Sequence, residues 1–216
     1  MKKIYLLIFA GAVLASCDKQ SDENSSTLGG DTAIPMNTVG NQFSGTISIG
    51  DNYFYTDGIV TESEDGILSV NVACEFPEDF PLADLLPDSY KDGDGNLDAT
   101  LEFKNTSEGI LDHLNEDGKP FVLVKYDCKV GDKYVCDKKD GTKITRTVTR
   151  KSTTDEYPYG FYLIKTITVE QDSRIPGIEK IVYNANHHFG LVGVDFVMED
   201  GSTIHTTVYS ENNVTE

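Results

Sequence analysis

Apolar and polar residues alternate with a period of two over most of the chain after Gln42. Asp-Gly or Gly-Asp pairs separate many of the alternating runs, a pattern typical of antiparallel strands joined by hairpins. The runs cover residues 43–49, 68–74, 122–128, 144–150, 161–169, 191–198 and 204–209. With the less regular runs between them, the pattern predicts about ten strands.

Helical signals are few and short. Residues 81–86 and 107–114 have the spacing of one or two helical turns, and nothing longer interrupts the strands. A parallel sheet needs long crossover connections, so the sequence predicts a mainly β fold, an antiparallel meander forming an open barrel or a sandwich, with one or two short helices. We expect one domain over residues 42–216, with a candidate sub-boundary near 120–130.

The amino terminus has the order of an export signal. Met1-Lys2-Lys3 is basic, residues 4–14 are apolar, and Ala15-Ser16 supplies small residues at a cleavage position. The apolar stretch spans roughly 16 Å as a helix, about half of a bilayer core of ~30 Å, so it is too short to anchor the protein. Residues 1–16 are therefore predicted to be a signal peptide.

Leu14-Ala15-Ser16-Cys17 resembles the lipobox of bacterial lipoproteins. The resemblance implies that Cys17 is acylated, becomes the first residue of the mature chain and holds it to a membrane. Two or three acyl chains anchor a protein far more firmly than one chain does. The alternative is an ordinary cleaved signal followed by a chance cysteine.

Residues 18–41 are rich in Ser, Asp, Glu, Asn, Thr and Gly, which predicts a flexible tether after Cys17. The acidic stretch directly after Cys17 resembles the export signal of surface lipoproteins from anaerobic gut bacteria. That resemblance implies the outer face of the outer membrane, and a periplasm-facing anchor stays open as the alternative. Asp31-Thr32-Ala33 resembles the short motif on which such proteins receive O-linked sugars, which makes Thr32 a candidate glycosylation site beside the interpretation as an ordinary polar triplet.

Charge limits the classes of partner. The net charge is −18 and becomes −20 once the signal peptide is removed. A chain this acidic repels nucleic acid phosphates and anionic headgroups. The sequence therefore argues against a nucleic acid partner and predicts a membrane link through lipid alone, with a ligand or protein partner that is not identified.

With Cys17 acylated, three cysteines remain, and an odd number leaves at least one thiol unpaired in the monomer. Cys128 and Cys136 are close in sequence and form the first candidate disulfide, with Cys74 to Cys128 as the second. Cys74 also alternates with apolar neighbours, as a buried residue does.

Four segments near the carboxyl end resemble a recurrent pattern in uncharacterised exported lipoproteins. They are Val130-Gly131-Asp132-Lys133-Tyr134, residues 144–149, residues 160–165 and Phe189-Gly190-Leu191-Val192-Gly193-Val194. In that pattern a "VGD" strand begins a β-meander that ends at a "GLV" strand, similar to the open barrel of periplasmic lipoprotein carriers. The resemblance implies a fold and carries no catalytic residues.

Asp92, Asp94, Asn96 and Asp98 place oxygen side chains at alternate positions, as a calcium loop does. The loop departs from the helix-loop-helix calcium pattern because Leu97 occupies the glycine position and Phe103 the position of the bidentate glutamate. Calcium is therefore a candidate cofactor with a stabilising role, and the alternative is a solvated acidic turn.

Two further groups of residues are candidates for chemistry. His113, His187, His188 and His205 could supply a zinc site, although adjacent strand residues point to opposite faces, and surface histidines are the alternative. The aromatic run at residues 157–162 could form the floor of a sugar- or peptide-binding groove, or it could pack in the core. We therefore expect a lipid-anchored binding or structural module that is not an enzyme, with a carrier of an apolar ligand and a hydrolase with a dispersed active site as rivals.

Overall fold

The computed structural model describes residues 25–76, 80, 83, 86–115, 117–173 and 175–211. Within these residues the chain forms fourteen β-strands and two short 3₁₀ helices, Pro35–Asn37 and Asp88–Tyr90. The strands are β1 (Gln42–Ile49), β2 (Asn52–Glu64), β3 (Ile67–Cys74), β4 (Leu97–Thr106), β5 (Gly109–Asp112), β6 (Phe121–Lys125), β7 (Lys133–Asp137), β8 (Lys143–Lys151), β9 (Tyr157–Tyr159), β10 (Tyr162–Ile164), β11 (Ile167–Asp172), β12 (Ile178–Asn186), β13 (Gly190–Met198) and β14 (Thr203–Ser210).

Twelve strands form one antiparallel sheet in the order β6-β5-β4-β3-β2-β1-β14-β13-β12-β11-β8-β7. β1 and β14 pair at the middle of this order, and β6 and β7 are its two edges. The sheet curls until these edges approach each other, which gives a nearly closed barrel. The prediction of a mainly β, antiparallel, barrel-like fold is therefore confirmed, and β9 and β10 form a separate hairpin.

We call the junction between β6 and β7 the seam, and Ser25 bridges it. Val122 of β6 donates its backbone N–H to the Ser25 carbonyl oxygen at 2.7 Å, and Val135 of β7 donates its N–H to the Ser25 hydroxyl at 3.0 Å. The Lys125 N–H also donates across the seam to the Tyr134 hydroxyl at 3.2 Å. Exposed strand edges invite pairing with other chains. The protein's own amino-terminal segment thus satisfies donors on both edges.

This bridge predicts that a change at Ser25 lowers the stability of the protein more than a change at its neighbour Ser26. Changing Ser25 to alanine leaves the Val135 N–H without its hydroxyl partner, which we expect to lower the free energy of unfolding by about 1–3 kcal/mol. Ser26 is exposed, and Ser26→Ala is the matched control with an expected change near zero. Urea unfolding measures both, and equal stabilities of the two variants would contradict the bridge.

A buried ion pair spans the seam from inside. Arg146 on β8 contacts Asp112 on β5 at 2.8 Å, and both side chains are almost completely buried. The Arg146 Nε atom donates to Gln171 at 2.9 Å, and Nη1 donates to the carbonyl oxygens of Phe121 and Val122. The guanidinium also lies over the Phe121 ring at 4.2 Å from its centroid. Arg146 thus ties the β7–β8 side of the barrel to the β5–β6 side.

The amino-terminal segment continues from the seam across one end of the barrel. Ser107 in the β4–β5 turn donates its N–H to the Asp31 carbonyl oxygen, and Asn37 donates to the Asn105 carbonyl oxygen. Farther along, Asn41 donates to the Ser210 hydroxyl at 3.2 Å. Because Met36, Asn37 and Asn41 are buried, residues 25–41 are part of the folded body. This differs from the flexible tether predicted for residues 17–41 in the part that the structure describes, since the buried Asn37 and Asn41 amide N–H groups gain acceptors that the sequence did not reveal.

The predicted short helix at residues 107–114 is wrong. A turn at Ser107 leads into β5, all four residues of which are buried. A short apolar run buried on both faces has no clear period, so helix and strand look alike in the sequence. The other predicted helix, over residues 81–86, lies largely outside the described residues.

Candidate ligand-binding face

The β9–β10 hairpin stands apart from the main sheet and exposes apolar side chains at its tip. Gly160 has φ +58° at the first position of its two-residue turn, where a type II′ hairpin favours glycine. Phe161 is 104% exposed, and Tyr162 and Leu163 are 72% and 57% exposed. Three consecutive exposed apolar residues are unusual in a soluble body and indicate a contact surface.

The base of the hairpin is held rigidly against the barrel. The Tyr159 ring packs on Phe189 and Tyr209 at centroid distances of 4.7 and 4.8 Å. The Gly160 N–H donates to the Tyr209 hydroxyl at 3.4 Å. Gly193 on β13 has no side chain, and the Tyr157 hydroxyl occupies the space that a Cβ would fill. The aromatic run at residues 157–162 therefore has two parts. Tyr157 and Tyr159 pack against the barrel, and the residues at the tip of the hairpin are exposed.

Burial keeps the two packed tyrosines protonated. Desolvation raises the pKa of Tyr157 and of Tyr159 to about 12, and the nearby Asp195 carboxylate adds to the effect at Tyr157. Both phenol groups therefore remain neutral hydrogen-bonding groups near neutral pH. The hairpin keeps the same charge and packing over that range.

Two more exposed tyrosines lie on the same outer side of the barrel. Tyr53 and Tyr55 on β2 are 65% and 79% exposed. Tyr55 pairs with Thr46 on β1, Thr46 pairs with Thr207 on β14, and their hydroxyls lie 2.8 Å apart. Tyr209, which holds the hairpin, is two residues beyond Thr207 and shares its face. The sheet therefore places both tyrosines and the hairpin on one side.

We call this surface the aromatic face, defined by Tyr53, Tyr55, Phe161, Tyr162 and Leu163. Short polar residues lie between its two aromatic edges, namely Ser44, Thr46 and Ser48 on β1 and Thr207 on β14. From β2 to β14 is two strand spacings, or about 10 Å. The result is a shallow polar floor between exposed rings.

A chain of hydrogen bonds runs along this side of the sheet. Thr168 donates to Asn184 at 3.0 Å, and Asn184 donates to one oxygen of Asp195 at 3.4 Å. The other Asp195 oxygen lies 2.9 Å from Nδ1 of His205. Both oxygens of this carboxylate are therefore engaged, and His205 borders the floor of the aromatic face.

Asp195 on β13 pairs in register with His205 on β14, and His205 pairs with Ser48 on β1. An aspartate, a histidine and a serine in this order are the residues of the catalytic triad of serine hydrolases. No hydrogen bond joins Ser48 to His205 among those of the described residues. Moreover, β1 and β14 are central strands, so their backbone N–H groups pair within the sheet and are not available to hold an oxyanion. The geometry gives the hydrolase alternative little support.

The part of the barrel interior beside the seam is tightly packed. Val148, Val169 and Ala185 have no exposed surface at all, so no water-sized space adjoins them. Phe80 packs in a second cluster with Phe54 and Phe76. A cavity of about 270 Å³ lies beside the seam, where Ser25, Lys119 and Asp137 are among its lining residues. This packed region leaves no space for the apolar ligand of a carrier among the residues that line it.

The candidate calcium residues make a hydrogen-bonded turn instead of a cage. Asp92 accepts the N–H groups of Asp94 and Asn96, each at 2.9 Å. Asn96 accepts the Phe76 N–H at 3.0 Å, and Asp98 accepts from Asn71 on the neighbouring strand. These hydrogen bonds hold the pKa of Asp92 below its usual value. Among the described residues no group of three or more His, Cys, Asp or Glu side chains is arranged to bind a metal.

The predicted disulfide between Cys128 and Cys136 is absent from the structure, where Cys74, Cys128 and Cys136 are free and buried. Cys136 lies on β7, whereas Cys128 lies in the preceding turn. Burial raises the pKa of all three thiols, that of Cys74 to about 11. Buried thiols of this kind react slowly.

The remaining candidates are dispersed or outside the described residues. His187 and His188 lie in the β12–β13 turn, His205 is on β14, and the structure assembles no zinc site from them among its described residues. Thr32 is half-buried and packs on Gly66, and its glycosylation stays a prediction. Cys17 is outside the described residues, so its acylation also stays a prediction.

Sequence reasoning did not single out Tyr53, Tyr55 or the Asp195–His205 pair. The run Tyr53-Phe54-Tyr55 does alternate, and its exposed members sit on either side of Phe54, which is partly buried. That alternation could have marked a strand, but aromatic residues on both faces gave no sign of which face is solvent-exposed.

Comparison with known proteins identifies no family. No family model matches the chain, and no curated protein matches it either. Among solved structures, the chain is similar to a presumed exported protein of Bacteroides fragilis with a YmcC-like fold, at 10% identity and a TM-score of 0.46, over 82% of this chain and 96% of that chain. Similarity at this level assigns neither family nor activity. In the described residues, no helix is both long and apolar enough to cross a bilayer.

Proposed function

We propose that the protein is a lipid-anchored binding protein of the outer membrane, held by acyl chains on Cys17 and exposed at the cell surface. Its barrel serves as a rigid, non-enzymatic scaffold that presents the aromatic face to a ligand. One observation carries the proposal: the aromatic face lies on the side of the barrel opposite the seam, where the amino-terminal segment enters.

The sheet order supports this opposition. β6 and β7 flank the seam at the two ends of the order, and β1 and β14 occupy its middle. In a nearly closed barrel, the middle strands lie across from the two edges. Since Ser25 is fixed at the seam, the link to Cys17 starts on the side away from Tyr55 and the hairpin.

The length of that link limits how the barrel can turn. Eight residue steps separate Cys17 from Ser25, and a fully extended chain of that length reaches at most roughly 29 Å. The path around the sheet from β6 to β1, or from β7 to β14, is five strand spacings, or about 24 Å. To bring the aromatic face to the membrane, the link would have to stretch around the barrel over most of its full length, which costs its conformational entropy. The favoured orientation points the face away from the lipid.

Energy transfer to the membrane tests this orientation. The acylated protein is labelled with a donor dye at Tyr55→Cys or, in a second variant, at Ser26→Cys, and bound to vesicles with acceptor-labelled headgroups. The native thiols are buried and have raised pKa values, so the dye enters at the introduced cysteine. We expect weaker transfer from position 55 than from position 26.

The same variants carrying Cys17→Ser serve as controls and should show no transfer, because the proposal leaves them in solution. Equal or stronger transfer from position 55 would mean that the aromatic face points toward the lipid, which rejects the proposed orientation.

A further inference from the structure

We infer that the aromatic face binds an uncharged oligosaccharide. This deepens the proposed function and rests on it, since it names the class of ligand that the exposed face takes. Three features of the face carry the inference: the spacing of its rings, the chemistry of its floor and its lack of positive charge.

The first feature is the spacing of the exposed aromatic rings. Tyr53 and Tyr55 are two residues apart on β2, so their Cα atoms are about 6.7 Å apart and both side chains point outward. Phe161 and Tyr162 stand on the opposite edge, on a hairpin fixed by Tyr159. Sugar rings present flat C–H faces that stack on aromatic rings, and a phenol adds a hydrogen-bonding tip. Rings along both edges suit an extended chain of sugars.

The floor between the rings offers hydrogen bonds without charge. Thr46, Ser48 and Thr207 present hydroxyls, and the His205 side chain is 59% exposed at the border of the floor. Hydroxyls both donate and accept, so they match the hydroxyls of a sugar in either direction. The Thr46 and Thr207 hydroxyls bond to each other. A purely apolar partner would shield their remaining lone pairs and the Ser48 hydroxyl from water, which costs free energy.

The charge of the surrounding strands narrows the ligand further. The strands that form the face, β1, β2, β9, β10, β13 and β14, contain no lysine or arginine, so they offer no cation for a phosphate, a sulfate or a uronic acid. Both oxygens of Asp195 are engaged by Asn184 and His205, which leaves Asp57 as the carboxylate nearest the floor for a basic peptide. A neutral polyhydroxylated ligand fits these groups better than either charged class.

Calorimetric titration of the full-length acylated protein in detergent micelles tests the inference. The probes are cellohexaose, maltohexaose, mannohexaose and xylohexaose, with oligogalacturonate as the anionic probe and oligolysine as the basic peptide. We expect saturable binding of at least one neutral hexasaccharide and none of the two charged probes. Tyr55→Ala should weaken that binding about tenfold, the equivalent of about 1.4 kcal/mol.

Two control variants distinguish the loss of ring stacking from a loss of the folded structure. Tyr55→Phe keeps the ring and should retain most of the affinity, whereas Leu114→Ala removes an exposed apolar side chain outside the aromatic face and should change nothing. Circular dichroism checks that each variant is folded, and Tyr53→Ala provides a second test of the same edge.

The inference is overturned if no neutral hexasaccharide binds, if oligolysine or oligogalacturonate binds instead, or if Tyr55→Ala and Tyr53→Ala both bind like the unaltered protein. Any of these results, combined with weaker energy transfer from position 55 than from position 26, would reject the ligand class and leave the proposed orientation standing. Strong transfer from position 55 would reject the orientation itself.

Discussion

Replacing Arg146 by methionine is expected to lower the free energy of unfolding by about 3–5 kcal/mol, because Asp112 then stays buried without its counter-ion. The Arg146 side chain is 3% exposed and that of Asp112 is 1% exposed, so water cannot take over the lost contact. The change also removes the donors to the Phe121 and Val122 carbonyl oxygens. Equilibrium unfolding in urea measures the loss.

The double variant Arg146→Met with Asp112→Leu distinguishes the cost of an unpaired buried charge from the cost of altered packing. Replacing both members of a buried ion pair by apolar residues is often neutral or stabilising, so we expect much of the lost stability to return. Lys180 and Glu170 form the surface control at 2.8 Å, with each side chain about one-third exposed. Lys180→Met should cost less than about 1 kcal/mol.

A loss for Arg146→Met no larger than that for Lys180→Met would contradict the account of the seam. In that case the barrel would not depend on the Arg146–Asp112 pair to tie its two sides together. A double variant as unstable as Arg146→Met alone would place the loss in packing instead of in the buried charge.

The second large effect that we predict is the loss of membrane attachment. We expect Cys17→Ser to move the protein from the membrane fraction to the soluble fraction, because the thiol that accepts the acyl chains is gone. Each buried methylene contributes about 0.8 kcal/mol, so losing two or three chains removes essentially all binding. Fractionation of cells followed by quantitative immunoblotting measures the distribution.

Ser16→Ala is the matched control, since it keeps a small residue in the lipobox-like sequence and should leave the protein in the membrane fraction. A Cys17→Ser variant that stays with the membrane would mean that another part of the protein holds it there.

The alternation of apolar and polar residues predicted the strands that have one solvated face. β1, β13 and β14 follow the predicted runs within a residue or two at each end. The pattern failed where both faces are buried, as in β5, because the period then disappears. It also merged β10 and β11 into one run, since the short break at Lys165 and Thr166 leaves the alternation nearly intact.

The candidate site was harder to foresee because it depends on strand register. Tyr55, Thr46 and Thr207 come together only when β2, β1 and β14 pair in this order, and β1 and β14 are at opposite ends of the chain. Ser25 gave no signal either, because its partners Val122 and Val135 are backbone groups that resemble any others in the sequence. Long-range contacts of this kind are not encoded in local composition.

The most direct test of the account is the intact mass of the native protein purified from membranes. The proposal that Cys17 is acylated requires a chain that begins at Cys17 and carries the added mass of a diacylglyceryl group, with or without an amide-linked acyl chain. A native chain that begins elsewhere, or that begins at Cys17 with no added lipid, would contradict the anchor and the orientation that depends on it.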